Sequence, residues 1–228
     1  LPVAELKVEP YADVYKGSGV QNKYMPPTDT RSFGLYQINT FTPEKTSKAE
    51  LEITAFHEGY PGHHMQMAIA SELTPPHKIM DIYSNSAFVE GWGRYAEQLA
   101  EEIGLYNEPA ANVVRRAWPG RGMVVDPGLH LFGWTRKQAV KYINDSGRFA
   151  TGYGEELVDR IAVMPAQLTA YDSGALEFFR LRQFARDNMG EKFDIKGFHR
   201  TLLGSGSVPL SMLNGMIKDW INSGTSID

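Results

Sequence analysis

Beyond residue 46, apolar residues recur along most of the chain at the three- and four-residue spacing of a helix. The clearest stripe is Val89, Trp92, Ala96, Leu99 and Ile103, expected on one buried face, with Gly104 placed to cap the end. Upstream, Ser47 with Glu50 reads as a capping box, and Leu51, Thr54, Ala55 and Glu58 follow at helical spacing, so a helix is expected to deliver His57 and Glu58. A second helical stretch runs from His63 to Leu73 and stops at Thr74-Pro75-Pro76. Thr135 with Gln138 makes another capping box ahead of Ala139, Val140 and Ile143. Further helices are expected from about Glu155 to near Pro165, over 166–189 up to Gly190, and over 194–203 and 208–221, with Gly204-Ser205-Gly206-Ser207 as a short loop between the last two.

The first 46 residues read differently. They are rich in Pro, Tyr and polar residues and alternate like a strand only from Ser32 to Asn39. The chain is therefore expected to be mainly α with at most a minor β element: an extended arm, 1–46, packing on a single helical domain, 47–228.

Chemistry concentrates at His57-Glu58-Gly59-Tyr60-Pro61-Gly62-His63-His64, followed by Glu90 in a Phe-Val-Glu-Gly-Trp-Gly stretch. Imidazole and carboxylate are the usual nitrogen and oxygen ligands of zinc, and a catalytic zinc takes three protein ligands and leaves one position for water. A carboxylate one residue after a ligating His can act on that water without binding the metal. The spacing departs from His-Glu-x-x-His. In an unbroken helix His63 would be rotated roughly 120° from His57, and His64 would lie about 10 Å along the axis. Pro61 lacks the N–H that would bond the His57 carbonyl, so the helix should bulge or break there and swing a second ligand back. The expected metal ligands are His57, His63 and Glu90, with His64 as the alternative to His63. Glu90 is placed in the first turn of its helix, where Gly91 and Gly93 would permit close backbone packing.

Composition narrows the partners. A net charge of −4 with no Lys/Arg block excludes a nucleic-acid backbone as a natural partner, and no apolar run approaches the ~20 residues of a membrane span. With no cysteine, a metal must be held by His, Asp or Glu. That absence fits an envelope protein without demanding one; the expected location is the bacterial periplasm, cell envelope or outside the cell rather than the cytoplasm. The chain begins at Leu1 rather than Met, so a processed or truncated product is expected.

With these residues in hand, the sequence resembles a large bacterial family of unknown function, domain of unknown function 885, similar to gluzincin metallopeptidases. The likeness rests on His-Glu-x-x-Pro-Gly-His-His-x-Gln from His57 to Gln66 and on Phe88 to Gly93 with Tyr95-Ala96-Glu97. It continues through Val124-Val125-Asp126 with Gly128-Leu129-His130, then Gly133 to Arg136, Pro165 to Leu168 and Tyr171, and on to His199. It implies a bacterial lipoprotein-type chain whose metal-bearing C-terminal portion is present and whose helical N-terminal part is missing. Pro127 and Asp172-Ser173 depart from the family's usual residues.

The expected activity is a zinc-dependent hydrolase, foremost a metallopeptidase acting on a peptide substrate with one zinc ion. Glu58 would deprotonate the water and pass the proton to the leaving amine, with His130 and Tyr171 as donors to the developing oxyanion. The alternatives are a metal-dependent hydrolase of a non-peptide amide or ester and a non-catalytic metal- or peptide-binding domain. Bland readings apply elsewhere. Asp126 is either an imidazole-orienting carboxylate or a turn former before Pro-Gly. Arg182 is either a bidentate holder of a substrate carboxylate or, with Arg180 and Arg186, part of a solvated face, the favoured reading; His77 is a loop residue, His199 packs or caps, and Trp92 and Trp134 belong to the core rather than to a substrate platform.

Overall fold

The computed structural model describes residues 1–18, 20–73, 78–81, 83–117, 119–147 and 152–224. It is mainly helical with one small sheet. Thr74-Pro75-Pro76, read as the stop of the second helix, and His77 lie outside the described residues. The expected strand forms as β3, Gly34–Ile38, but it is not alone. Two further strands, β1 (Leu6–Pro10) and β2 (Lys23–Met25), flank it, β1 parallel and β2 antiparallel. β1 is exposed along most of its length and β2 is three residues long, so neither alternates clearly in the sequence. The backbone N–H of Tyr24 in β2 donates to Glu58 Oε2 at 2.8 Å, and the Tyr24 hydroxyl lies 2.9 Å from His64 Nδ1.

The helices are α1 (Lys48–Glu58), α2 (His63–Glu72), α3 (Ser86–Glu102), α4 (Ala111–Ala117), α5 (Pro119–His130), α6 (Arg136–Asp145), α7 (Tyr153–Val163), α8 (Gln167–Met189), α9 (Ile195–Leu203) and α10 (Leu210–Ser223). Both capping boxes are made, at Ser47 and at Thr135. Two helices were not expected from the sequence. α4 and α5 cover a stretch that local rules read as broken by Pro119, Gly120 and Pro127, and Asp126 is therefore a helical residue and not a turn former. α5 ends three residues after Pro127, whose carbonyl accepts from the N–H groups of Leu131 and Phe132. The expected stripe on α3 is also wrong at its end: Ile103 is the C-cap and 67% exposed, whereas burial wraps most of the helix from Phe88 to Ala100.

α3 and α8 form the central pair. A Cβ on Gly91 would lie 2.5 Å from Gly174 Cα, and one on Gly174 would lie 1.7 Å from the Ala87 carbonyl oxygen, so both glycines are needed for this approach. Phe88, Trp92, Tyr95, Phe178, Phe198 and Leu202 build the main core with α9 and α10. A second cluster joins α5, α6, α7 and the start of α8.

His199 packs in that main core, as the bland reading held: its Nε2 lies 2.8 Å from the Tyr95 hydroxyl, beneath Trp92. Burial, with the Arg182 charge adding to it, lowers its pKa to about 4. The folded state therefore resists a proton that the unfolded chain accepts near pH 6.5, and stability is full above that pH and falls toward pH 4 by about 3 kcal/mol. Urea midpoints should accordingly drop less over this window in His199→Gln than in the parent protein. Parallel profiles would contradict the assignment. Arg182 itself is not on a solvated face. It is buried and pairs with Glu102 at 2.6 Å, while Arg180 and Arg186 are exposed as expected.

Candidate metal centre

Three side chains from three helices meet at one point. Glu90 Oε2 on α3 lies 3.5 Å from His57 Nε2 on α1 and 3.4 Å from His63 Nε2 at the start of α2, and one ligand atom from each lies within 4.8 Å of the others. Tetrahedral zinc with bonds of about 2.0–2.2 Å separates its ligands by roughly 3.4 Å, so the donor set and spacing fit such an ion. Glu90 is in the second turn of α3, not the first, because the helix begins at Ser86 behind an Asn85 cap.

The break between α1 and α2 makes this convergence possible. α1 ends at Glu58 and α2 restarts at His63, with Gly62 packed so tightly that a Cβ would fall 1.9 Å from the His57 carbonyl oxygen. Trp92 pins the break from α3: its Nε1–H is 2.9 Å from the Pro61 carbonyl oxygen and 3.2 Å from that of Gly62. Gly93 clears room for the ligand ring, since a Cβ there would meet His57 Cε1 at 2.4 Å.

Partners on the far side of each imidazole set its orientation. His57 Nδ1 lies 2.9 Å from Glu97 Oε1, and His63 Nδ1 lies 3.3 Å from Gln66 Oε1. A donor on each Nδ1 leaves the Nε2 lone pair facing Glu90, the tautomer a metal requires. Glu97 is held in turn by Arg94, which also reaches Asp172 on α8. Burial would depress the His57 pKa, but bonds to Glu90 and Glu97 overcome it and raise it to about 10. Likewise the two imidazoles hold the Glu90 carboxyl below the usual range despite burial. An incoming cation would displace those protons.

Over residues 1–217 the sequence matches the family described as Bacterial protein of unknown function (DUF885). The chain belongs to that family. Among solved structures, a DUF885 chain of this shape resembles a protein from Colwellia psychrerythraea described as a "putative lipoprotein", with a TM-score of 0.89 and 30% identity over 97% of this chain and 39% of that one. A "putative lipoprotein of unknown function" from Shewanella oneidensis shares the fold, with a TM-score of 0.73 and 23% identity over 94% of this chain and 40% of that one. The chain thus spans about two fifths of the length of these relatives. None of the curated proteins matches it. Among the described residues no helix is long and apolar enough to cross a membrane.

Other expected residues of this DUF885 site divide. His64 turns away: its Nδ1 meets Tyr24 and its Nε2 lies 3.0 Å from the Tyr60 hydroxyl, so the two adjacent imidazoles point to different partners. Glu58 lies outside the ligand set, with Oε2 taken by Tyr24. Tyr171 is present, its ring stacked on His57 with centroids 5.9 Å apart. Burial first, then the Glu90 charge, pushes its phenol well above its ordinary pKa, so it stays a proton donor. His130 Nε2 lies 3.0 Å from the Ile161 carbonyl oxygen on α7. Asp126 lies 3.9 Å from His130 and orients neither ligating imidazole, a role Glu97 fills instead.

The sequence marked Gln66, Glu97 and Gln167 only as parts of matching motifs and gave none of them a role. Each stands at a helical interval from a residue it did single out: Glu97 seven beyond Glu90, Gln66 three beyond His63, Gln167 four before Tyr171. That spacing was the available signal. Glu97→Gln keeps the size but removes the charge behind His57, and is expected to weaken zinc binding by about 10- to 100-fold. Competition with a chelating dye measures it, and an unchanged affinity would show that Glu97 only anchors Arg94.

Proposed function

We propose that this chain is the metal-bearing part of a zinc-dependent hydrolase, most directly a gluzincin-like metallopeptidase, with His57, His63 and Glu90 holding one zinc ion. The observation that carries the reading is the convergence of two oriented imidazoles on one oxygen of Glu90, at 3.5 and 3.4 Å. When bound, zinc would supply Lewis acidity and bring the pKa of a water down to about 7.

The proton work then belongs to this chain's side chains. Glu58 follows His57 directly and is buried, and with Oε2 fixed by Tyr24 its Oε1 is left to take a proton from water and pass it to the leaving amine. Tyr171, neutral and stacked on His57, donates to the carbonyl oxygen as negative charge builds there. Gly93 and Trp92 keep the His57 ring and the α1–α2 break in place while this happens. A peptide substrate and a cell-envelope location belong to the same proposal, the latter supported by the description of the Colwellia protein.

Metal removal tests it. Protein stripped with a chelator should cleave no member of a mixed peptide library, and one equivalent of zinc should restore cleavage, read by mass spectrometry. Cleavage that persists without metal would reject the proposal.

A further inference from the structure

Between α7 and α8 the chain turns through Ala166, whose φ of 64° is a left-handed conformation that residues other than glycine rarely adopt. The turn sets Gln167, the first residue of α8, against three groups. Its Nε2 lies 3.3 Å from Glu90 Oε1 and 3.2 Å from the Tyr171 hydroxyl, and its Oε1 accepts from Arg160 Nη2 at 2.9 Å. A single amide therefore separates the Arg160 guanidinium on α7 from a carboxylate of the ligand set.

Arg160 is exposed, and no Asp or Glu among the described residues forms an ion pair with it. Three other arginines are paired: Arg136 with Asp159, Arg180 with Glu177 and Arg182 with Glu102. Of the five donors a guanidinium carries, one goes to Gln167.

We propose that Arg160, positioned by Gln167, binds the C-terminal carboxylate of a peptide whose scissile bond lies at the His57, His63 and Glu90 site. The enzyme then removes one or two residues from a C-terminus. The planar fork of a guanidinium matches a carboxylate through two parallel hydrogen bonds. One side-chain amide bridges Glu90 and Arg160, so an extended chain lying beside it, at about 3.3–3.6 Å per residue, reaches from one to the other with one or two residues and not a long tail. The location of the scissile bond rests on the hydrolase reading, whereas the carboxylate subsite is open to a binding test without turnover.

Three tripeptides tagged at the N-terminus are titrated by fluorescence anisotropy against the zinc-loaded protein in a Glu58→Gln background, where they survive. One has neutral side chains and a free C-terminal carboxylate, one is its amide, and one is an amide carrying Glu at the last position. The free acid should bind roughly 10- to 100-fold more tightly than its amide. Arg160→Ala should erase that ratio and Arg160→Lys should retain part of it. Equal binding of acid and amide, a preference that survives Arg160→Ala, or no binding of any peptide would overturn the proposal. Tight binding of the Glu-bearing amide would transfer the preference to side-chain carboxylates and overturn the C-terminal assignment. Efficient cleavage of amidated peptides at internal bonds, with no preference for free acids, would sink this inference and leave the hydrolase reading standing.

Discussion

Glu58→Gln is expected to leave bound zinc unchanged and to cut peptide turnover by about 10²- to 10⁴-fold, the usual worth of a positioned general base. The substitution isolates the proton because the rest of the local structure can be kept. Glu58 is the last residue of α1, and its Oε2 accepts the Tyr24 N–H that ties β2 to the helix end. A glutamine carbonyl accepts the same bond, so the sheet stays anchored and His57 is not disturbed. The competing view is that Glu58 serves only as that anchor. It predicts full turnover in Glu58→Gln and a loosened N-terminal sheet in Glu58→Ala. Turnover per bound zinc, measured for both variants, separates the two, and an active Gln variant removes Glu58 from catalysis.

Gly62→Ala should destabilise the protein by about 3 kcal/mol or more and abolish tight zinc binding. The obstacle is space. Its Cβ would meet the carbonyl oxygens of His57 at 1.9 Å and of Phe56 at 2.4 Å. Both are backbone atoms of the last turn of α1, so no rotamer change relieves the contact, and α1 and α2 must part. Parting them breaks the bond from Trp92 to the Pro61 and Gly62 carbonyls and moves His63 relative to His57. Gly215 provides the control: it lies inside α10 with nothing within 4 Å of its Cβ, and Ala there should add up to about 1 kcal/mol through helix propensity. Urea midpoints of the two variants should move in opposite directions. A Gly62→Ala protein as stable as its parent would show that the break is pliable.

The helices that carry the ligands were readable because their signals are local. Ser47 with Glu50 starts α1, and Pro61 with Gly62 ends it, so a kink between His57 and the His63-His64 pair follows from the chain itself. Which of the two imidazoles turns inward did not follow, because the answer depends on Tyr24 and Tyr60, which claim His64 from a strand and from the break. Glycines at 91 and 93 pointed to a close approach but could not name the partners, Gly174 and the His57 ring. α4 and α5 were hidden for the opposite reason. Pro119, Gly120, Pro127 and Gly128 oppose a helix locally, and packing of α5 on α7 and α8 outweighs them, as where Val125 meets Leu168 in the second core cluster. Glu97 stood in a matching motif, but its role depends on the His57 ring that lies against it from another helix. Arg160 carried no signal in the sequence, because its link to Glu90 runs through Gln167 and joins three helices.

Anomalous scattering at the zinc edge, from crystals grown with zinc, tests the central claim most directly. One peak is expected at about 2.0–2.2 Å from His57 Nε2, His63 Nε2 and an oxygen of Glu90, with Glu97 still behind His57. A peak on other side chains, or the three groups closed on one another as a bare ion pair at saturating zinc, would contradict it.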